Sequence, residues 1–162
     1  MNLATPRTVA IKATPIDTEV KATVIDTEVF IRRPGEVRRA RAWIGKVLAP
    51  EVASETLDDI RTCLSECVTN AAVHANAGTL VGVIVMWTAP DMVRVEVIDQ
   101  GNTEQKKPHI PATLQEYASG GRGLNLVATL SSKWGCQKEG DGTGWVVWFQ
   151  VADQQSCLIE SS

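Results

Sequence analysis

Cys63-Leu64-Ser65-Glu66-Cys67-Val68-Thr69-Asn70-Ala71-Ala72 is the stretch on which the reading of this chain turns. Its apolar residues recur at helical spacing, and on a helix residues four apart share a face about one turn from each other. The Glu66 carboxylate and the Asn70 amide are therefore directed into one space, which suits a water and a metal ion held side by side. Taken alone, the pair also fits the solvated polar stripe of an amphipathic helix. Ile60, Leu64, Cys67/Val68, Ala71 and Ala75 form the stripe that packs. At ~100° per residue Glu66 falls about 200° around from Leu64, so the Glu66 and Asn70 face can line a pocket beside a sheet. Thr56 is the expected N-cap, with Asp58 and Asp59 in the first turn, and Gly78 the expected C-cap.

Before this helix, Val37, Ala40, Ile44, Val47 and Leu48 predict a first helix over 35–49 that stops at Pro50. Arg38, Arg39 and Arg41 lie on its other face and join Arg32 and Arg33 in a basic patch. Arg38 and Arg41 are candidates for docking an acidic protein surface, and a solvated face is the alternative. Further upstream, Lys12-Ala-Thr-Pro-Ile-Asp-Thr-Glu-Val20 is followed at once by Lys21-Ala-Thr-Val-Ile-Asp-Thr-Glu-Val29. Two nine-residue copies are too short for a stacked repeat. Residues 1–28 are expected to be a flexible extension, and Val29-Phe30-Ile31 an edge strand that opens the fold.

After the helix, 80–87 and 92–98 predict two antiparallel strands, with Val93, Val95 and Val97 alternating against Arg94 and Glu96. The second strand ends in Asp99-Gln100-Gly101, which suits a carboxylate at a cleft floor and equally a turn. Residues 102–119 lose periodicity, gain Pro108 and Pro111, and read as a mobile loop or lid. Gly120-Gly121-Arg122-Gly123-Leu124 opens a third helix, where glycines and the helix dipole let backbone amides meet an anion. A short strand, a glycine-rich turn over 140–144 and a last strand over 145–151 follow, and 153–162 is expected to be a disordered tail.

The 162 residues, 44% hydrophobic, suit one domain, placed at 29–152. A net charge of −3 provides no global positive field to attract nucleic acid. The longest apolar run, near Leu80 to Trp87, is shorter than the ~20 residues of a membrane span, and the N-terminus lacks an apolar signal core. A cytoplasmic location is expected. Cys63, Cys67, Cys136 and Cys157 show no paired metal motif, so reduced and mostly buried thiols are expected.

Glu66-x-x-x-Asn70, Asp99-x-Gly101, Gly121-x-Gly123 and Gly142-x-Gly144 resemble, in order and spacing, the nucleotide-binding boxes of the GHKL ATPase superfamily. Glu66-Cys67-Val68-Thr69-Asn70-Ala71, Gly121-Arg122-Gly123-Leu124-Asn125-Leu126-Val127 and Lys133-Trp134-Gly135 look like the phrases of its anti-sigma-factor serine kinase branch. The resemblance covers roughly Phe30 to Val151. It implies a Bergerat-type α/β (α+β) two-layer sandwich, a mixed, mostly antiparallel sheet with helices on one face. It further implies ATP and Mg²⁺, with Asn70 on the metal and Glu66 as the general base. Asp99 would accept from the adenine amino group and Gly101 would admit the ring. Gly121, Gly123 and Leu124 would set the amides of the helix start on the phosphates, and Arg122 would add positive charge. Val146 stands where many members carry a Thr that supports adenine binding, and His74 matches a His common in the branch, where a structural role is the simpler reading.

The activity implied is phosphorylation of a Ser or Thr on a small antagonist protein by a regulator that also sequesters a sigma factor, and a homodimer is allowed. A non-catalytic, nucleotide-gated interaction module is the alternative. The catalytic half of a histidine kinase has less support, because no dimerising helix with a phospho-acceptor His precedes the domain.

Overall fold

The computed structural model describes residues 7–13, 18–33, 35–74, 80–99, 122–138 and 144–154. Their elements run β1 (Arg7–Ala13), β2 (Thr18–Ile31), α1 (Glu36–Leu48), α2 (Ser54–His74), β3 (Leu80–Ala89), β4 (Met92–Asp99), α3 (Arg122–Leu130), β5 (Lys133–Lys138) and β6 (Trp145–Ala152). The strands form one sheet in the order β1-β2-β3-β4-β6-β5. The resemblance implied a mixed, mostly antiparallel sheet, and every pairing among the described residues is antiparallel.

Side chains alternate across a strand, and the alternation decides which face the helices cover. Val81, Val83 and Val85 of β3, Val93, Val95 and Val97 of β4, and Val147, Phe149 and Val151 of β6 share one buried cluster with Ile60, Leu64, Cys67 and Val68 of α2. Helix α2 lies at its centre, touching α1, α3, β3, β4 and β6. Ile60 and Leu64 are fully buried, a burial that stabilises by about 1.5–3 kcal/mol for each such side chain. Helix α1 begins after Gly35, whose φ of +92° lies in the left-handed region that favours glycine.

Four expectations need correction. Residues 7–13 and 18–28, expected to be flexible, belong to strands, and a domain boundary at 29 would fall inside β2. The β-branched residues of the second copy, Thr23, Val24, Ile25, Thr27 and Val29, favour an extended backbone, and β1 supplies its pairing partner. Strand β2 is consequently an inner strand between β1 and β3 rather than an edge. Thr56 does not cap α2, which starts two residues earlier at Ser54. The start of α2 is held instead by Asp153, whose Oδ1 accepts from the Ala53 amide at 3.0 Å and from the Thr56 hydroxyl at 3.1 Å. Asp153, placed in the expected tail, is thus a buried part of the domain. Gly78, the 102–119 segment, the 140–143 part of the glycine-rich turn and residues 155–162 lie outside the described residues.

Candidate functional site

Helix α2 carries Glu66 and Asn70 on consecutive turns, both half-buried. The core stripe of α2, including Cys63, Leu64, Cys67 and Val68, packs in the core. Burial, followed by the charges of Asp59 and Glu66, pushes the Cys63 thiol up to about 12, and burial likewise raises Cys67. Both thiols are free and buried, as expected, and as protonated side chains they act as small apolar groups beside the site.

Helix α3 meets α2 at its start. Leu124 and Val127 are buried in the core and seat the helix, so Leu124 contributes through packing. Gly123 lies against Glu66, and a Cβ at residue 123 would stand 2.6 Å from Glu66 Oε2. No acidic residue occupies the first turn of α3, so this carboxylate from α2 is brought to a helix start that has none of its own.

The third component is Asp99, the last residue of β4 and 3% exposed. It continues the series Val93, Val95, Val97 that faces the helices, and its cross-strand partner is Trp145. Val146 pairs with Ile98 of β4 and Gln137 of β5. Directly paired residues share a face and successive residues alternate. Val146 therefore points to the side away from Asp99, and its lack of a hydroxyl does not bear on the pocket face. Gly101 and Gly121 lie outside the described residues, and Arg122 is the first residue of α3. His74 is the last residue of α2.

The basic patch is largely tied up inside the domain. Arg39 donates to Glu36 at 3.1 Å and to the Val29 carbonyl at 2.6 Å, and its guanidinium lies 4.4 Å over the Phe30 ring. Arg41 Nη1 crosses to α2, donating to the Arg61 carbonyl at 3.2 Å and to Oγ of Ser65, the residue before Glu66, at 2.8 Å. Arg38 is exposed. Ser65 escaped sequence reasoning because its partner lies on another helix. The same holds for Gly45, whose missing side chain leaves room for the Arg61 guanidinium.

The residues present fit an adenine nucleotide. A buried carboxylate stands at the end of an inner strand, an acid and an amide occupy one face of the adjoining helix, and a helix start opens through a glycine beside that acid. An antiparallel sheet layered with helices on the face bearing these groups defines an ATP-binding sandwich of the GHKL type. The chain belongs to the histidine kinase-like ATPase domain family, whose profile matches residues 30–151. Among solved structures, the histidine kinase domain of the blue-light activated histidine kinase from Erythrobacter litoralis EL346 is similar at 23% identity, with a TM-score of 0.49. That match covers 79% of this chain and 64% of the other, so this chain spans less than two thirds of that domain. No curated protein matches the chain at a significant level. Among the described residues no helix is long and apolar enough to cross a membrane.

Proposed function

We propose that the protein is a cytoplasmic Mg-ATP-binding regulator similar to anti-sigma factors, which transfers the γ-phosphoryl group to a Ser or Thr of an antagonist protein and sequesters a sigma factor. The observation that carries the reading is the seating of the Glu66 carboxylate against the start of α3, with Asn70 one turn along α2. In this reading the acceptor hydroxyl oxygen forms its bond to the γ-phosphorus as the bond to the bridging oxygen of ADP breaks. Glu66 takes the hydroxyl proton, and the Gly123 amide in the first turn of α3 would face the phosphate charge, with Gly121 and Arg122 assigned to the phosphates as the resemblance implies. Bound Mg²⁺ would neutralise phosphate charge, and the Asn70 side-chain oxygen is the hard ligand suited to it. Asp99 accepts from the adenine amino group, and Gly101 leaves room for the ring. Arg38 is an exposed cation of α1 available to an acidic partner surface, whereas Arg41 is engaged with α2. A homodimer belongs to the same proposal.

The alternative is a non-catalytic, nucleotide-gated interaction module; Val146, which offers no hydroxyl to adenine, faces away from Asp99 and does not itself favour it. Calorimetry with Mg-ATP and transfer of labelled γ-phosphate to a co-purifying antagonist test the proposal together. Glu66→Gln should keep Mg-ATP affinity and lose transfer by about 10²–10⁴-fold, the usual contribution of a general base. Transfer undiminished in Glu66→Gln removes the base, binding without turnover leaves the interaction module, and no binding sinks both.

A further inference from the structure

A glycine at a helix start is ordinarily explained by the anion it admits or by a left-handed backbone. The second explanation does not apply to Gly123, because Gly35 is the only described glycine with positive φ. Gly123 is the second residue of α3 with an ordinary helical backbone, so its missing side chain calls for a steric cause. The cause on the Cβ side is Glu66: a Cβ at residue 123 would lie 2.6 Å from Oε2, 3.3 Å from Cβ and 3.5 Å from Cδ of that side chain.

We propose that Gly123 is a positioning residue for Glu66, a clearance that lets the general base lie across the first turn of α3. The inference rests on the nucleotide-site reading above and assigns the missing side chain at residue 123 to the base, while the backbone amide keeps its place toward the phosphate. The contacts differ in how they yield. Glu66 Cβ is fixed to α2, whose stripe is locked in the core, so the stem cannot retreat. The carboxylate is the far end of a flexible side chain and can rotate. An added methyl therefore displaces the carboxylate first, and the 3.3 Å contact with Glu66 Cβ asks the start of α3 to give by only a few tenths of an ångström. Gly123→Ala should behave as a loss of Glu66, with nucleotide binding preserved.

The test uses the full chain in two arms. In the first, the carbon-13 carboxyl resonance of Glu66, assigned by its loss in Glu66→Gln, is followed without nucleotide. It should shift in Gly123→Ala, and an unmoved resonance overturns the proposal. In the second, Mg-ATP affinity and γ-phosphate turnover are measured for the wild type, Gly123→Ala, Glu66→Ala and the double variant. Gly123→Ala should lower turnover by about 10-fold or more and leave affinity within about 2-fold, with no further loss of turnover when Glu66→Ala is already present. Affinity lost to the same degree with and without Glu66→Ala shows that the glycine serves the phosphate and overturns the clearance. A Gly123→Ala chain that folds only together with Glu66→Ala supports it, and one that folds in neither background overturns it. Wild type that binds no Mg-ATP removes the nucleotide reading, while the resonance still decides whether residue 123 sets the carboxylate.

Discussion

Strand β4 presents Val93, Val95, Val97 and Asp99 to the helices, and Arg94, Glu96 and Ile98 to the opposite side. One strand thereby buries charge in two ways. On the outer face Arg94 and Glu96 are 2% and 8% exposed, and Arg94 Nε donates to Glu96 Oε1 at 2.8 Å. The guanidinium lies 4.0 Å over the Trp148 ring of β6, for which Gly135 of β5 leaves room, since a Cβ there would meet Trp148 at 2.7 Å. Burial draws the Arg94 guanidinium below its ordinary value, and Glu96 pulls it back up. On the helix face the apolar series runs without interruption to its last residue, where a single carboxylate stands beside the helix that bears Glu66 and Asn70. The contrast teaches that burial of charge does not by itself mark a site. The outer-face pair is closed within one strand, and Asp99 is distinguished by its position, at the end of β4 on the face that the helices cover.

The largest effect should come from breaking the outer-face pair. Glu96→Ala leaves the Arg94 cation buried without its partner, a loss of about 3–5 kcal/mol for an ion pair of this kind. Arg94 Nη2 and Trp148 Nε1 already make no hydrogen bond among the described residues, which leaves no spare acceptor there to take the place of Glu96. Replacing both members, Arg94→Met with Glu96→Leu, should recover most of that loss, because the desolvation of both ions disappears together. Urea midpoints of the single and double variants check this. Equal destabilisation by the two would show that Glu96 acts through packing instead of charge.

An intermediate effect is expected on the helix side, at the end of α2 remote from Glu66. Asp153 follows β6, accepts from Ala53 and Thr56 at the start of α2, and donates its amide to the Asp91 carbonyl at 2.7 Å. Asp153→Ala leaves a buried hydroxyl and a helix-start amide without their acceptor, a cost of about 1–3 kcal/mol, while the backbone bond to Asp91 survives. The urea midpoint should fall by less than in Glu96→Ala. Thr56→Val should recover part of the loss in the Asp153→Ala background by removing the stranded hydroxyl.

How far these features were legible in the sequence follows from how far apart their parts lie. The stripe of α2, the alternation of β4 and the starts of α1 and α3 are local periodicities, and the helices and strands formed near their expected positions. Glu66, Asn70 and Asp99 could be singled out because each belongs to a short spaced motif. Asp153 could not be read as a cap, since Thr56 lies 97 residues before it. The contact of Gly123 with Glu66 and the reach of Arg41 to Ser65 are likewise products of helix packing. Val146 was judged by its place in a motif, but its face is set by the pairing of β4 with β6, which a single strand does not disclose. The duplicated segment misled for a related reason: nine-residue repeats suggest a dispensable extension until a partner strand is found for them.

Glu36 should give the smallest effect, because it is a buried carboxylate whose cations stand in water. Its Oε2 accepts from the Ile31 amide at 3.2 Å and from Arg39 Nε at 3.1 Å, and its Oε1 from Arg33 Nε at 3.3 Å, which ties the end of β2 to the first turn of α1. Burial pushes the Glu36 carboxyl up, but the hydrogen bonds from Ile31, Arg39 and Arg33 outweigh it and hold the group below the usual carboxylate range. A carboxyl lowered on folding contributes stability that is present above its unfolded value and is lost as pH falls through the folded one. The contribution should therefore be constant from neutral pH down to about 5 and decline below the ordinary glutamate value of about 4.3. Glu36→Gln, which cannot titrate, should be less stable than the wild type at pH 7, with the gap narrowing in acid. Arg33 and Arg39 side chains are 63% and 46% exposed, so added salt should also narrow the gap at pH 7, unlike the effect of Glu96→Ala on the enclosed outer-face pair. Urea midpoints at pH 7, 5 and 3.5, with and without salt, decide the matter. A gap unchanged across that range would mean that Glu36 holds β2 to α1 by shape, with its charge contributing nothing.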